Sequence, residues 1–107
     1  MSVYGIAHMR QVNMGPPIVE YLERIDATLK PFGGRFIVHG GRFEVLEGNW
    51  PGTAIVIEFP DLEAARGWYR SAAYQEILRL RTDHSESDII LIDGVGPDHL
   101  ATDVLRG

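Results

Sequence analysis

Four histidines supply imidazoles, the side chain most often used for acid–base work. Two of them, His8 and His39, fall where acid–base chemistry is commonly built. His8 stands two residues before Arg10 at the end of one extended segment, and His39 ends another. Two imidazoles beside a guanidinium can relay a proton and hold the charge that develops. The topology derived below brings the ends of both segments to one edge of a sheet, with Thr53 and Asp88. A third strand lies between them, so the histidine backbones are expected roughly 9–10 Å apart. A metal shared by both then requires favourable rotamers. The plainer reading is two partly exposed histidines at strand ends. His8 and His39 are taken as catalytic candidates, and Arg10 as a ligand-binding one.

The opposite sheet edge is expected to carry Tyr4, Arg35, Glu58 and Asp93. Arg35 opens one strand and Glu58 closes its neighbour, so they face each other as a cross-strand ion pair. Alternatively Arg35 holds a substrate carboxylate, with Glu58 beside it. Trp68, Tyr69 and Tyr74 read as core and interface aromatics, or as a stacking surface in which Trp68 meets a ligand. Arg81 either anchors a helix end, pairs with Glu76 or Asp88, or contacts ligand. Asp83-His84 and Asp98-His99 are metal-like fragments without a third ligand at recognisable spacing. No metal site and no organic cofactor is expected, although a helix-borne His84 is a conceivable haem ligand. Phosphate-loop, dinucleotide and His-Glu-x-x-His patterns are absent, and no serine sits on a strand-to-helix elbow.

The elements that must position these residues follow from periodicity and punctuation. Val3–Arg10 reads as a strand, and Gly15-Pro16-Pro17 ends it and opens a helix. Apolar positions 18, 22, 25 and 29 then form one helical face. Gly33-Gly34 closes that helix. Arg35–His39 is a second strand. Gly40-Gly41 breaks it, Arg42–Glu47 is a short extended excursion, and residues 48–52 are a turn cluster. Thr53–Phe59 is a third strand. Asp61 caps a helix whose stripe is Leu62, Ala65, Trp68 and Tyr69. Ser71 caps a further segment with Tyr74, Ile77, Leu78 and Leu80. Ser87–Asp93 is the fourth strand. Residues 1–95 are expected to form one domain, and residues 96–107 a polar tail.

The order β-α-β-β-α-β, joined by right-handed crossovers, gives an antiparallel α+β sheet in the spatial order 4-1-3-2. Helices on one side leave the other side bare. Yet Ile55, Ile57 and Phe59 alternate with Ala54 and Val56, and Ile89 and Leu91 alternate with Ile90 and Ile92. Both sheet faces are therefore apolar. A second copy is the simplest cover for the bare one, so a sheet-on-sheet homodimer is expected.

The residues also carry a resemblance. Gly33-Gly34-Arg35-Phe36, Gly40-Gly41, Val45-Leu46-Glu47-Gly48 and Trp50 begin it. Ile57-Glu58-Phe59-Pro60, Glu63-Ala64-Ala65, Trp68-Tyr69, Ser71, Tyr74, Leu80-Arg81 and Asp88 continue it. Together they resemble the domain-of-unknown-function family numbered 1330, within the dimeric α/β-barrel superfamily. The chain departs from it at Gly15-Pro16-Pro17 and at Ala72, both at helix starts. The resemblance implies a ferredoxin-like protomer whose sheet pairs with that of its copy. That superfamily spans cofactor-free monooxygenases, haem-degrading enzymes, dismutases and lyases, so the fold does not select a reaction.

Composition narrows the partners. The 107 residues carry 10 Lys+Arg and 15 Asp+Glu, a net charge of −5, and no Cys. Thiolate chemistry, disulfides and iron–sulfur clusters are excluded. Residues 54–107 hold the whole charge excess, and Lys30 is the only lysine. Without a basic cluster, neither nucleic acid nor an anionic membrane is an expected partner. Met1–Arg10 lacks the pattern of a secretory signal, so a cytoplasmic location is expected. The reading is a small homodimer that binds or transforms a small organic molecule in a cleft beside the sheet, without an organic cofactor. The alternatives are an accessory dimer without activity, and a haem- or metal-binding protein.

Overall fold

The computed structural model describes residues 1–106. Its elements are β1 (Val3–Val12), α1 (Pro16–Leu29), β2 (Arg35–His39), β3 (Thr53–Phe59), α2 (Leu62–Arg70), α3 (Ala72–Thr82) and β4 (Ser85–Asp93). The strands form one antiparallel sheet in the order β2-β3-β1-β4. This is the expected 4-1-3-2 order read from the other edge. β1 and β4 each run about two residues further than the residue pattern suggests. Among the described residues no helix is long and apolar enough to cross a membrane.

Local chemistry explains the boundaries. Pro16 and Pro17 occupy the first turn of α1, where a missing N–H costs nothing. A 3₁₀ turn (Lys30–Phe32) extends the helix, and Gly33 stops it in the left-handed conformation at φ 68°. Asp61 caps α2 by accepting the Ala64 N–H at 2.8 Å. Ser71 serves two helices. Its hydroxyl donates to the Trp68 carbonyl at 2.7 Å and accepts from the Tyr74 N–H at 3.2 Å. That corner fixes Trp68 and Tyr74 relative to each other.

The helices cover one sheet face. Val3, Ile57 and Phe59 pack there against Ile25, Leu29, Ala65, Trp68, Tyr74 and Ile77. Within α1 the buried stripe runs through Tyr21 rather than Leu22, which stays partly exposed. The other sheet face carries Ile6, Val38, Ala54, Val56, Ile90 and Ile92 by alternation from the observed register. Among the described residues no helix covers it: the segment 41–51 reaches its Val38, Ala54 and His8 end, while Ile90 and Ile92 remain 53% and 47% exposed.

Residues 40–52, between β2 and β3, form an arm without regular structure. The expected extended excursion over Arg42–Glu47 is therefore not a strand. The arm is tied down at Trp50, whose ring stacks on His8 at 4.3 Å, and at Pro51, whose carbonyl accepts from His8 Nε2 at 2.6 Å. The tail beyond β4 is not featureless: Ala101–Arg106 winds into a 3₁₀ helix, with Asp103 accepting the Leu100 N–H. Residue 107 of the expected tail lies outside the described residues.

Gly52 closes the arm at φ 90°, and a Cβ there would collide with the Met9 carbonyl. Gly52→Ala should lower stability by more than about 1 kcal/mol in a thermal or urea melt. Gly41→Ala is the matched control: a Cβ there meets nothing, and it should leave the midpoint unchanged.

Candidate functional site

A cavity of about 710 Å³ opens between the covered sheet face and the helices. That volume is within the range of small-molecule sites. Its origin lies in β1. Gly5 and Ala7 point toward the helices from a central strand where larger side chains would fill the space. Met9, Ile55, Ile57 and Leu91 complete the sheet wall. Ile18, Tyr21, Leu22 and Ile25 of α1, Trp68 and Tyr69 of α2, and Tyr74 of α3 form the other. The lining is mainly hydrocarbon and aromatic.

A few polar groups converge on this space. The Tyr21 and Tyr74 hydroxyls hydrogen-bond at 2.8 Å. Arg81 follows Tyr74 and Ile77 at helical spacing, so all three share the inner face of α3. Its Nη1 donates to Ser87 Oγ at 2.9 Å, and its Nη2 to the Tyr74 hydroxyl at 3.4 Å. The guanidinium carbon stands 6.0 Å from the Tyr21 ring centre. Trp68 is locked by its Nε1–H, which donates to Thr28 Oγ1 at 2.9 Å, and its ring lies 4.1 Å from that of Tyr74. His39 lines the cavity and stacks on Phe36 at 4.3 Å.

Electrostatics follow burial. Desolvation raises the Tyr21 pKa well above the ordinary phenol value, and the neighbouring Tyr74 adds to the rise. Desolvation works against the charge on Arg81. The oxygens of Tyr74 and Tyr21 outweigh that, and its pKa rises. At neutral pH the site thus holds one buried cation, Arg81, beside a neutral Tyr21 phenol, with the exposed Arg66 and Arg70 also in the lining.

Residues 2–95 match the family described as Domain of unknown function (DUF1330). The chain belongs to the DUF1330 family. No curated protein matches it. Among solved structures it is similar to RPA0582, a protein of unknown function from Rhodopseudomonas palustris. That match has 19% identity and a TM-score of 0.68 over 90% of this chain and 84% of that one. It is also similar to a dimeric ferredoxin-like protein of unknown function from Jannaschia sp. CCS1, with 11% identity and a TM-score of 0.68 over 88% and 100%. A third is SnoaB, a cofactor-independent oxygenase from Streptomyces nogalater, with 14% identity and a TM-score of 0.59 over 91% and 96%. At these identities the likeness establishes the fold, which is ferredoxin-like.

In this DUF1330 chain the residues singled out by type and spacing divide between the two sheet faces. His8 and His39 reach the same end of the sheet, as expected, but not the same side. His8 pairs in register with Ala54 and Asp88 and lies on the uncovered face. Arg10 is there too, bound to Asp88 at 3.0 Å. His39 stands in register with Ile55 on the cavity side. The cause is a bulge between Phe36 and Val38, which places Ile37 outside the pairing and turns every later residue of β2 over. The proposed joint site of His8, Arg10 and His39 therefore does not assemble within the protomer. His8 instead donates its Nε2 hydrogen to a carbonyl, and works as an anchor of the arm.

Arg35 and Glu58 form the expected cross-strand pair at 2.8 Å, with Tyr4 3.5 Å from Glu58. They occupy the uncovered face, away from the cavity, and Asp93 registers with Val3 on the other side. Trp68 and Arg81 do reach the cavity. Arg81 pairs with neither of the acids expected for it: Glu76 binds Arg24, and Asp88 binds Arg10. His84 lies in the turn after α3 rather than on a helix. Among the described residues no group of three or more His, Cys, Asp or Glu side chains is placed to hold a metal ion. Tyr21 escaped the residue-level reading altogether. Its signal was present, since Gly5 and Ala7 leave a void opposite the inner face of α1.

The raised Tyr21 pKa has a consequence for stability. Below about pH 10 folded and unfolded chains both keep the phenol proton. Above it the unfolded chain releases a proton that the folded chain retains, so stability falls as pH rises. Urea midpoints measured from pH 8 to 11 should decline more steeply for the native chain than for Tyr21→Phe.

Proposed function

We propose that this protein binds or transforms a small organic molecule in the cavity between sheet and helices, without an organic cofactor. The supporting observation is the cavity itself: about 710 Å³, largely apolar, with Arg81, Tyr21, Tyr74 and His39 among its polar groups and the exposed Arg66 and Arg70 also in its lining. Such a lining buries a ligand's hydrocarbon while a few placed groups fix its orientation. Trp68 offers a rigid aromatic wall, held by Thr28. His39, in the cavity lining, is the histidine within reach of a bound molecule and so the one suited to proton transfer. The same fold in SnoaB supports a cofactor-independent oxygenase, which is compatible with chemistry carried by side chains alone. Ile55→Trp should fill the cavity without disturbing the opposite sheet face. A thermal-shift and native mass-spectrometry screen of small organic molecules should yield ligands that this variant loses. Ligands bound equally by both proteins, or none at all, would count against the cavity.

We further propose that the working unit is a homodimer joined through the uncovered sheet faces. The motivation is the apolar row of Ile6, Val56, Ile90 and Ile92, and a similar fold that is dimeric in the Jannaschia protein. Val56 stands in register with Ile6 at the centre of that row, so Val56→Asp would place a charge inside the interface. Light scattering should give the mass of two chains for the native protein and of one for Val56→Asp. A native monomer at micromolar concentration would rule this assembly out.

A further inference from the structure

The guanidinium of Arg81 is buried without a counter-charge. The residue is 6% exposed. Among the described residues no carboxylate forms an ion pair with it. Its two bonded nitrogens meet the hydroxyls of Ser87 and Tyr74, and its Nε has no partner among the described residues. A buried charge held only by hydroxyl oxygens, with one donor idle, is an expensive arrangement that natural cores avoid unless something completes it.

A second donor stands idle beside it. Tyr21 and Tyr74 share one hydrogen bond between two hydroxyls, and each hydroxyl carries one proton. Whichever tyrosine donates in that bond, the other's proton has no acceptor among the described side chains. Burial keeps Tyr21 protonated rather than letting it serve as the missing anion. The polar cluster therefore has unused donors and a positive charge, and it faces an apolar space.

We propose that the molecule taken by this cavity is an organic oxyanion: a ring-bearing carboxylate, enolate or phenolate. Its ionised oxygen lies against Arg81 and the Tyr21–Tyr74 pair, and its hydrocarbon body lies along Trp68 and Ile55. The inference rests on the cavity being the ligand site, and adds the charge and chemical class of the ligand. An oxyanion accepts the idle tyrosine hydrogen and neutralises the guanidinium. A neutral ligand leaves the charge unpaired, and a cation is repelled by it. In an enolate or phenolate the same contacts would hold the negative charge on oxygen without any residue changing its covalent state.

The probes are 2-naphthoate and 2-naphthamide, which share a ring system and differ in charge, titrated calorimetrically into the native protein at neutral pH. The carboxylate should bind at least about 10-fold more tightly than the amide, as expected for a charge-assisted bond out of water. Arg81→Met keeps the aliphatic stem and should remove that preference. Tyr21→Phe should weaken the carboxylate several-fold and leave the amide unchanged. Ile55→Trp should abolish binding of both. Equal affinity of the two probes for the native protein overturns the oxyanion assignment and leaves the cavity reading standing. Carboxylate binding that survives Ile55→Trp lies elsewhere and also overturns it. Failure of both probes, across further acid and amide pairs of this size, overturns the cavity reading and this inference with it. The comparison of probes on the native chain does not depend on any variant folding.

Discussion

A four-stranded sheet has two faces, and three helices packed on one side leave the other without cover. The rest of the molecule is arranged around this constraint. Alternation sends the odd-numbered residues of β3, of β4 and of β1 as far as its bulge after Met9 toward the helices, and the even-numbered ones away. Both sets are apolar at the sheet centre. On the covered side the apolar set makes the core, around Phe59, Leu29, Tyr74 and Ile77, which are almost wholly buried. On the bare side it makes a surface whose exposure costs free energy, and burying that surface against another sheet would recover it.

The covered side is not filled uniformly. Near Phe59 the packing is tight: a Cβ on Gly34 would come within 2.7 Å of its ring. Toward the other end of β1, Gly5 and Ala7 withdraw from the helices and the packing gives way to a cavity. A small residue on a central strand removes volume that its neighbours cannot recover, because their backbones are held by the ladder. Tyr21 and Tyr74 belong to the core and also line that space, with Arg81 beside them. The core and the candidate site thus share one layer, and the same strand residues separate them.

Histidine placement shows how sensitive such a site is to register. In an unbroken strand His39 would alternate to the side of Arg35, the side on which His8 stands. The bulge at Ile37 reverses this and brings His39 beside Phe36 at the cavity. His8 stays outside, bonded to Pro51 and covered by Trp50. Residue type alone made the two equivalent. A single unpaired residue gave them different surroundings and different work.

Much of the fold was legible in the residue order, because it depends on local chemistry. Periods of two and of three to four, the Gly15-Pro16-Pro17 and Gly33-Gly34 punctuation, and the caps at Asp61 and Ser71 set the elements and their order. The two apolar sets on each strand were equally readable, since alternation is a property of any extended chain. The DUF1330 resemblance was carried by residues spread over nearly the whole domain. The site was legible only in part. Trp68 and Arg81 could be picked out by type, but their role depends on what they face: Tyr21 of α1 meets Tyr74 of α3 across 53 residues of chain, and Arg81 joins them from 7 residues further along α3. Burial strips Arg81 of the solvent that would otherwise satisfy it, and a bulge decides which histidine sees the cavity. Those are properties of packing and register, which arise when distant segments come together, and only the tertiary structure decided them.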